Sequence, residues 1–598
     1  MLCYHRAVRA RDRWLVGLCA VLSYLPSLGN PFAFDDEYVV QTNPLLLDGR
    51  GLWHLLTRPG LTGGPVLGAH YRPLPMASLW LERQLFGLEP LGYRTVNLAL
   101  HVLCAILLGA FVQRLLARLL PDEPAGRHAS VARITSLLFV VHPFFAEAVE
   151  QIFKRTSTIA TACMLGSLLC FDRAFVHVKD GGRGAGDTTM PDTASMPPAR
   201  RLLWLSGALA GVGMLAKESA VVMPALIALY GLYAGFFRQR PGLLARLTLG
   251  FSIVPAALVL LVRPVGAAAT GEHAALRHLL AQPAVFADYA LMFVWPARIP
   301  IVMGIEPAAW PPSAASVLGL ALLAGSVGAG LWLTQRAPLP SFAILFAALC
   351  VSPTSTLVPM QVVGDPIHLY LASVGLLVLV ARALERLARV LAARVPDSLA
   401  RARTLLATLP ITALIMYAWI GTLELGDRYA NPATAWRHAA QRYPAGKLPW
   451  ANACVTERDR TRALEVCSHA AVLDPDSAFV AHRIVMLHAF AGRFDAAEAA
   501  LAHARARPVT SASWPLWLAE ARLALLRGQL ERARDAFEGV LTRNPGQLEA
   551  RVFLADLRLR LGRPGAAALV AGLQAPADPT TRALLDAVRA RLSAHAPP

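Results

Sequence analysis

An all-α membrane protein carrying a helical-repeat tail is the fold class this sequence predicts, and three observations predict it. The chain is 55% hydrophobic but only 16% charged, against about a quarter charged in soluble domains. Apolar stretches long enough to cross a bilayer, roughly 17–25 residues each, recur until about residue 430 and then stop. From there charge density rises and a repeat period takes over. The implied division is a polytopic membrane domain over 1–428 and a repeat domain over 429–598. The net charge is +18, and in the membrane part the basic residues fall in short inter-span loops, as topology determinants do. No aromatic–basic constellation points to nucleic acid.

In chain order the apolar stretches fall at 14–30, 94–119, 132–149, 157–176, 202–216, 219–236, 248–265, 314–334, 340–358, 367–384 and 404–423. The first, preceded by arginines, reads as a retained signal anchor. The polar stretch 178–200 reads as a cytoplasmic loop. The segment 287–302 contains Pro296, Arg298 and Pro300, which suits an interfacial or re-entrant element better than a span. With it not crossing, Arg114, Arg118, Arg127, Arg133, the bases of 173–201, Arg238, Arg240, Arg246, Arg336 and the run 381–403 all face one side. The positive-inside rule then gives about eleven spans, with the N-terminus in the cytoplasm and the repeats outside.

In the tail, Gly492, Gly528 and Gly562 lie 36 and 34 residues apart, and Ala497, Ala533 and Ala567 follow them at one offset. That period is the one of the tetratricopeptide repeat, an antiparallel helix pair with small residues where the helices touch, stacked into an α-solenoid. The first unit is degenerate and contains Ala463 and Cys467. Cys454 and Cys467 are either a disulfide across that helix pair, in an oxidising compartment, or two buried thiols.

The chemistry-bearing residues share the outer face. PFAFDDEYVVQTNP (31–44) crowds Asp35, Asp36 and Glu37 just after the first span. A carboxylate beside a hydroxyl can take its proton, and a neighbouring carboxylate can tune that base or bind a metal. HYRPLP (70–75) offers Arg72 to a carboxylate of that cluster or to a phosphate. VHPFFAEAVEQIFKRTST (141–158) brings His142, Glu147, Lys154 and Arg155, at spacings that match no zinc helix. LAKESAVVMP (215–224) sets Lys217 and Glu218 between two spans, and GDPIHLYLASVG (364–375) sets Asp365 and His368 before the tenth. A base, several cations and access to lipid suit transfer of a group from a lipid phosphate to a hydroxyl, with the cations aimed at the anion that leaves.

These motifs in this order resemble the transmembrane-and-tetratricopeptide (TMTC-like) O-mannosyltransferase family and its bacterial relatives, within the GT-C glycosyltransferase superfamily. The resemblance implies a GT-C fold and transfer of a sugar, mannose by inheritance, from a polyprenyl-phosphate donor to protein hydroxyls with inversion. It implies Asp35 as general base with Asp36 as its partner, Glu37 leaving a one-residue ambiguity. Arg72 and Lys217 become candidates for the donor phosphate, with His142, Glu147 and Glu218 at further motif positions. Two departures stand out: Lys154-Arg155 where the family often has Gly-Arg, and no arginine before LYLAS, where His368 is the candidate substitute. The repeats would hold the protein acceptor. The expected setting is a bacterial inner membrane with the repeats in the periplasm; membrane lipids are partners and a divalent metal is left open. The competing readings are a non-catalytic scaffold that assembles envelope complexes through its repeats, and a transporter. The scarcity of mid-span ionisable residues argues against the transporter.

Overall fold

The computed structural model describes residues 10–58, 71–181, 197–236, 248–252, 273–356, 362–573 and 578–594, with positions 242 and 360. Most of the stretch expected to span at 248–265, most of the loop at 178–200, and His70 lie outside the described residues. Among the described residues every regular element is helical. Contacts divide the chain into two compact units, Met1–Pro432 and Ala433–Pro598.

In the first unit the long helices are α1 (Ala10–Tyr24), α2 (Gly49–Thr57), α3 (Pro73–Phe86), α4 (Pro90–Leu119), α5 (Ala125–Val141), α6 (Arg155–Gly181), α7 (Pro197–Ala216) and α8 (Met223–Tyr233). They continue with α9 (Ala274–Val294), α10 (Ala314–Trp332), α11 (Pro338–Val351), α12 (Val374–Ala393) and α13 (Ala400–Ala430). Four described stretches, Pro90–Leu119, Ile152–Val176, Ala314–Trp332 and Ala400–Ala430, are long and apolar enough to cross a membrane. Two further candidates are bent pairs, Ala125–Val141 with Pro143–Glu150 at 62° and Pro366–Ala372 with Val374–Ala393 at 64°. The segment 287–302 holds the end of α9, a 3₁₀ turn over Pro296–Arg298, an extended Ile299 and a bend at Ile301, both isoleucines buried. Lys217 breaks α7 from the next element with an extended backbone (φ −157°, ψ 137°), as the Lys-Glu interruption predicts.

The first bend has a sequence cause. A residue before proline is driven out of the helical region, and His142 before Pro143 adopts extended backbone. Asp365 before Pro366 is extended likewise and starts the second pair, whose own bend falls at Ser373. Thr422 Oγ1 on α13 donates to the Val141 carbonyl at 2.6 Å and so fastens the end of α5. A cluster of Val39, Val40, Leu46, Met76, Leu79, Tyr93 and Ile152 seats the loop after α1 on α3, α4 and the 152–154 turn.

The second unit stacks helix pairs: α14 (Pro432–Arg442), α15 (Lys447–Thr456), α16 (Arg460–Leu473), α17 (Ala478–Phe490), α18 (Phe494–Arg505), α19 (Trp514–Leu526), α20 (Leu530–Arg543), α21 (Leu548–Arg560) and α22 (Pro579–Ala594). Gly492, Gly528 and Gly562 turn between paired helices at φ 72°, 71° and 63°, a region costly for any residue with a Cβ. Ala463, Ala497 and Ala533 are fully buried at the helix contacts. Ala567 is not: it is exposed, and Ala566 takes the buried place. Pro564 and a second left-handed glycine, Gly565 (φ 89°), delay the helix, which runs only over Ala566–Val570. Cys454 and Cys467 are joined by a disulfide linking α15 to α16.

Candidate active site

The loop after α1 is held rigidly. Arg94, fully buried on α4, donates to the carbonyls of Leu28, Asn30 and Pro31 and to that of Glu150. Ser27 Oγ donates to Glu150 Oε1 at 2.5 Å. Phe34 then takes a left-handed backbone (φ 59°), unusual for an aromatic residue, with its ring edge-on to Tyr429 at 5.6 Å. Asp36 accepts the backbone N–H groups of Phe153 at 2.9 Å and Ile152 at 3.0 Å and is fully buried. Burial pushes Asp36 up to about 6 even though those two N–H bonds and Arg94 pull it down. With Phe34 and Asp36 fixed, Asp35 between them is half-buried, and its charge is felt at Lys154.

Lys154 is the hub. Its ammonium lies 2.8 Å from Glu147 Oε1 and 2.7 Å from Asp365 Oδ2. Glu147 comes from the turn after α5 and Asp365 from the loop before α12, so one side chain ties together the two bent pairs. Burial alone would raise Asp365, but Lys154, then His368, hold it well below the usual carboxylate range. Tyr289 OH locks the same residue, donating to the Asp365 carbonyl and accepting its N–H, both at 2.8 Å.

Beside this pair stand the remaining cations. Lys217 Nζ donates to Ser157 Oγ at 2.7 Å. Burial, then the repulsion of Arg72, push Lys217 down to about 8. Arg72 holds Glu218 bidentately, Nε to Oε1 at 3.0 Å and Nη2 to Oε2 at 2.9 Å. A cavity of about 30 Å³ opens between Lys217, Ser157, Thr354 and His368, room for one or two waters. Among the described residues no group of three His, Cys, Asp or Glu side chains is disposed to hold a metal ion.

Comparison with known proteins meets this geometry from outside. A tetratricopeptide repeat family model matches residues 524–592. Over part of its length the chain is similar to proteins named O-mannosyl-transferases. Mouse TMTC1 is 27% identical over 229 residues, 38% of this chain and 22% of that protein. Human TMTC2 is 31% identical over 217 residues, 35% of this chain and 22% of that protein. Fruit-fly Tmtc1 is 33% identical over 172 residues, 27% of this chain and 19% of that protein. The resemblance carried by the motifs is thus matched by relatives that bear that family's name, of whose own length the matches span about a fifth. An archaeal oligosaccharyltransferase structure (Archaeoglobus fulgidus, tethered to an acceptor peptide) aligns over 79% of this chain and 59% of its own, with a TM-score of 0.37 and 14% identity.

Several expected roles change. Asp36, expected as partner of a base, spends both oxygens on backbone N–H groups and positions its neighbour. Arg155 is fully buried against Glu82 and also donates to the carbonyls of Ile152 and Tyr93, so it braces α3 and α4 from within. His142 caps the turn over Pro143–Phe145 through Nδ1 and bonds the Phe293 carbonyl through Nε2 at 3.0 Å, a structural post. Arg72 pairs with Glu218, not with the DDE cluster. Glu37 is exposed. Sequence reasoning missed Arg94, Glu150 and Tyr289. An arginine at the head of an apolar span is a signal in itself, and it pointed to Arg94.

Proposed function

We propose that this chain is an inverting membrane glycosyltransferase of the GT-C kind. It moves a sugar from a polyprenyl-phosphate donor to hydroxyl groups of protein acceptors. Mannose is the first candidate, by likeness to the named relatives. The observation that carries the reading is a polar cluster drawn from separate loops: Lys154 binds Glu147 at 2.8 Å and Asp365 at 2.7 Å, the half-buried Asp35 acts on Lys154, and Arg72 and Lys154 act on Lys217.

In this reading Asp35 takes the proton of the acceptor hydroxyl. The oxygen attacks the anomeric carbon opposite the phosphate, the C1–O bond breaks, and polyprenyl phosphate leaves as an anion. Lys217 and Arg72, with His368 at the cavity wall, face that developing charge. The donor's lipid suits a site between membrane-crossing helices, and the disulfide suits repeats in an oxidising compartment such as a periplasm. With the N-terminus cytoplasmic, the site and the repeats share the outer face of a bacterial inner membrane. Acceptor segments bound in the repeats would raise their local concentration at that face.

The test is transfer itself. Purified full-length protein in nanodiscs is given radiolabelled polyprenyl-phosphate mannose and envelope protein. Label appearing on protein supports the reading. No transfer and no donor binding would favour the scaffold, which needs the repeats and not the site.

A further inference from the structure

Arginines crowd the turn between α12 and α13: Arg382, Arg386, Arg389, Arg394, Arg401 and Arg403, against the acids Glu385 and Asp397. The structure sorts them by partner. Arg382 holds Glu123 of the α4–α5 turn with both ends of its fork, Nη1 at 2.9 Å and Nη2 at 2.6 Å. Arg389 Nε donates to Glu385 Oε1 at 2.7 Å, and Arg127 reaches the same oxygen at 3.7 Å. Those cations are used up in fastening α12 to the start of α5. Arg386, Arg394 and Arg401 are different: they are exposed, and form no ion pair among the described residues.

From Arg382, α12 continues to Ala393, about 16 Å of helix. Over that length the exposed stripe is mixed. Arg386, Leu387, Val390 and Arg394 recur at the three- and four-residue spacing of one helix face, with Leu387 and Val390 each 44% exposed. On α13, Arg401 and Arg403 are followed by Leu405 and Leu409, 69% and 61% exposed, at the head of a helix long and apolar enough to cross a membrane. Water gives such bare aliphatic groups no favourable contact. A helix face laid on a bilayer does: its aliphatic groups enter the acyl boundary while the guanidinium groups stay among the phosphates.

We propose that the α12–α13 turn is a docking surface for an anionic phospholipid leaflet, with Arg386, Arg394 and Arg401 pairing headgroup phosphates and Leu387, Val390 and Leu405 entering the acyl boundary. Charge selects the partner, since three guanidinium forks suited to phosphate oxygens have no carboxylate to neutralise them. They favour anionic over zwitterionic lipid. Loop arginines that set topology need only one side of the membrane; these three create a preference for lipid composition. The inference goes beyond the transferase reading and does not rest on it.

Spin-labelled lipids test it. Full-length protein is reconstituted in phosphatidylcholine vesicles with traces of spin-labelled phosphatidylglycerol or spin-labelled phosphatidylcholine. The motionally restricted fraction of each is read by electron paramagnetic resonance. Wild type is compared with Arg386→Gln/Arg394→Gln/Arg401→Gln and with Arg200→Gln/Arg201→Gln/Arg336→Gln, which removes equal charge from exposed arginines of other loops. The expected result is a preference for phosphatidylglycerol of about threefold in wild type and the second variant, falling to near parity in the first. That preference should fade in high salt. A wild type with no preference overturns the proposal. So does an equal fall in both variants, which would mean diffuse charge, or a fall in neither. Inorganic phosphate that abolishes the preference at fixed ionic strength would point to a free anion and overturn the leaflet. Should the first variant fail to fold, Arg394→Gln alone must still lower the preference, and an unchanged value overturns it.

Discussion

A lysine pressed against an arginine in a buried place loses its proton early, and Lys217, pushed down to about 8, turns that into a pH dependence. Below 8 the ammonium is present to face the donor phosphate; as pH rises through 8 it is lost. The kcat/KM for donor should therefore fall about tenfold per unit above pH 8, and Lys217→Arg, which keeps its charge, should flatten that limb. A wild-type profile level to pH 9.5 would remove Lys217 from the phosphate. Asp36 makes a different prediction. Asp36→Ala strands two buried N–H groups and removes a charge that acts on Arg94, at a cost of about 2 kcal/mol or more, so its unfolding temperature in detergent should drop. Asp36→Ala with wild-type stability would show that the N–H bonds to Ile152 and Phe153 are dispensable. Three adjacent carboxylates look alike in a sequence. Burial separates them, because Asp36 turns inward to Ile152 and Phe153, Glu37 is exposed, and Asp35 stays half-buried with its charge acting on Lys154.

Helices and repeats were legible because their signals are local, apolar length and glycine spacing; of the eleven expected spans, those at 94–119, 132–149, 157–176, 314–334, 367–384 and 404–423 meet a described helix or bent pair long and apolar enough to cross. The breaks at His142-Pro143 and Asp365-Pro366 were also written in the chain, as prolines following a polar residue. What those breaks bring together was not, since Lys154 and Asp365 are 211 residues apart and leave no periodic trace. In the unit after Gly562 only the small position moved, to Ala566, because Pro564-Gly565 stand where Phe494-Asp495 stand in an earlier unit and the helix starts late. Element packing offers a direct check. A Cβ on Gly539 in α20 would run into the Trp517 ring of α19, and such overpacking costs about 1–3 kcal/mol. Gly539→Ala should lower the denaturation midpoint of the repeat unit while leaving Arg94 and its loop untouched. An unchanged midpoint would mean that Trp517 moves freely and that α19 and α20 are loosely packed.

Across the whole molecule, one unit holds the proposed site and the other is a solenoid with a disulfide between α15 and α16. The disulfide closes a loop of sequence separation 13, and removing a link of that size costs about 3 kcal/mol. Reductant should therefore lower the unfolding temperature of the repeats before that of the membrane unit, and a Cys454→Ala/Cys467→Ala chain should be indifferent to it. The central claim concerns Asp35, and single-turnover transfer with bound donor tests it most directly, comparing wild type with Asp35→Asn. The account predicts equal donor binding and an equal unfolding temperature for the two, with the rate of sugar transfer reduced by about a thousandfold or more in the variant. An Asp35→Asn enzyme that binds donor and transfers at the wild-type rate would contradict it, and the base would have to be sought elsewhere in the cluster.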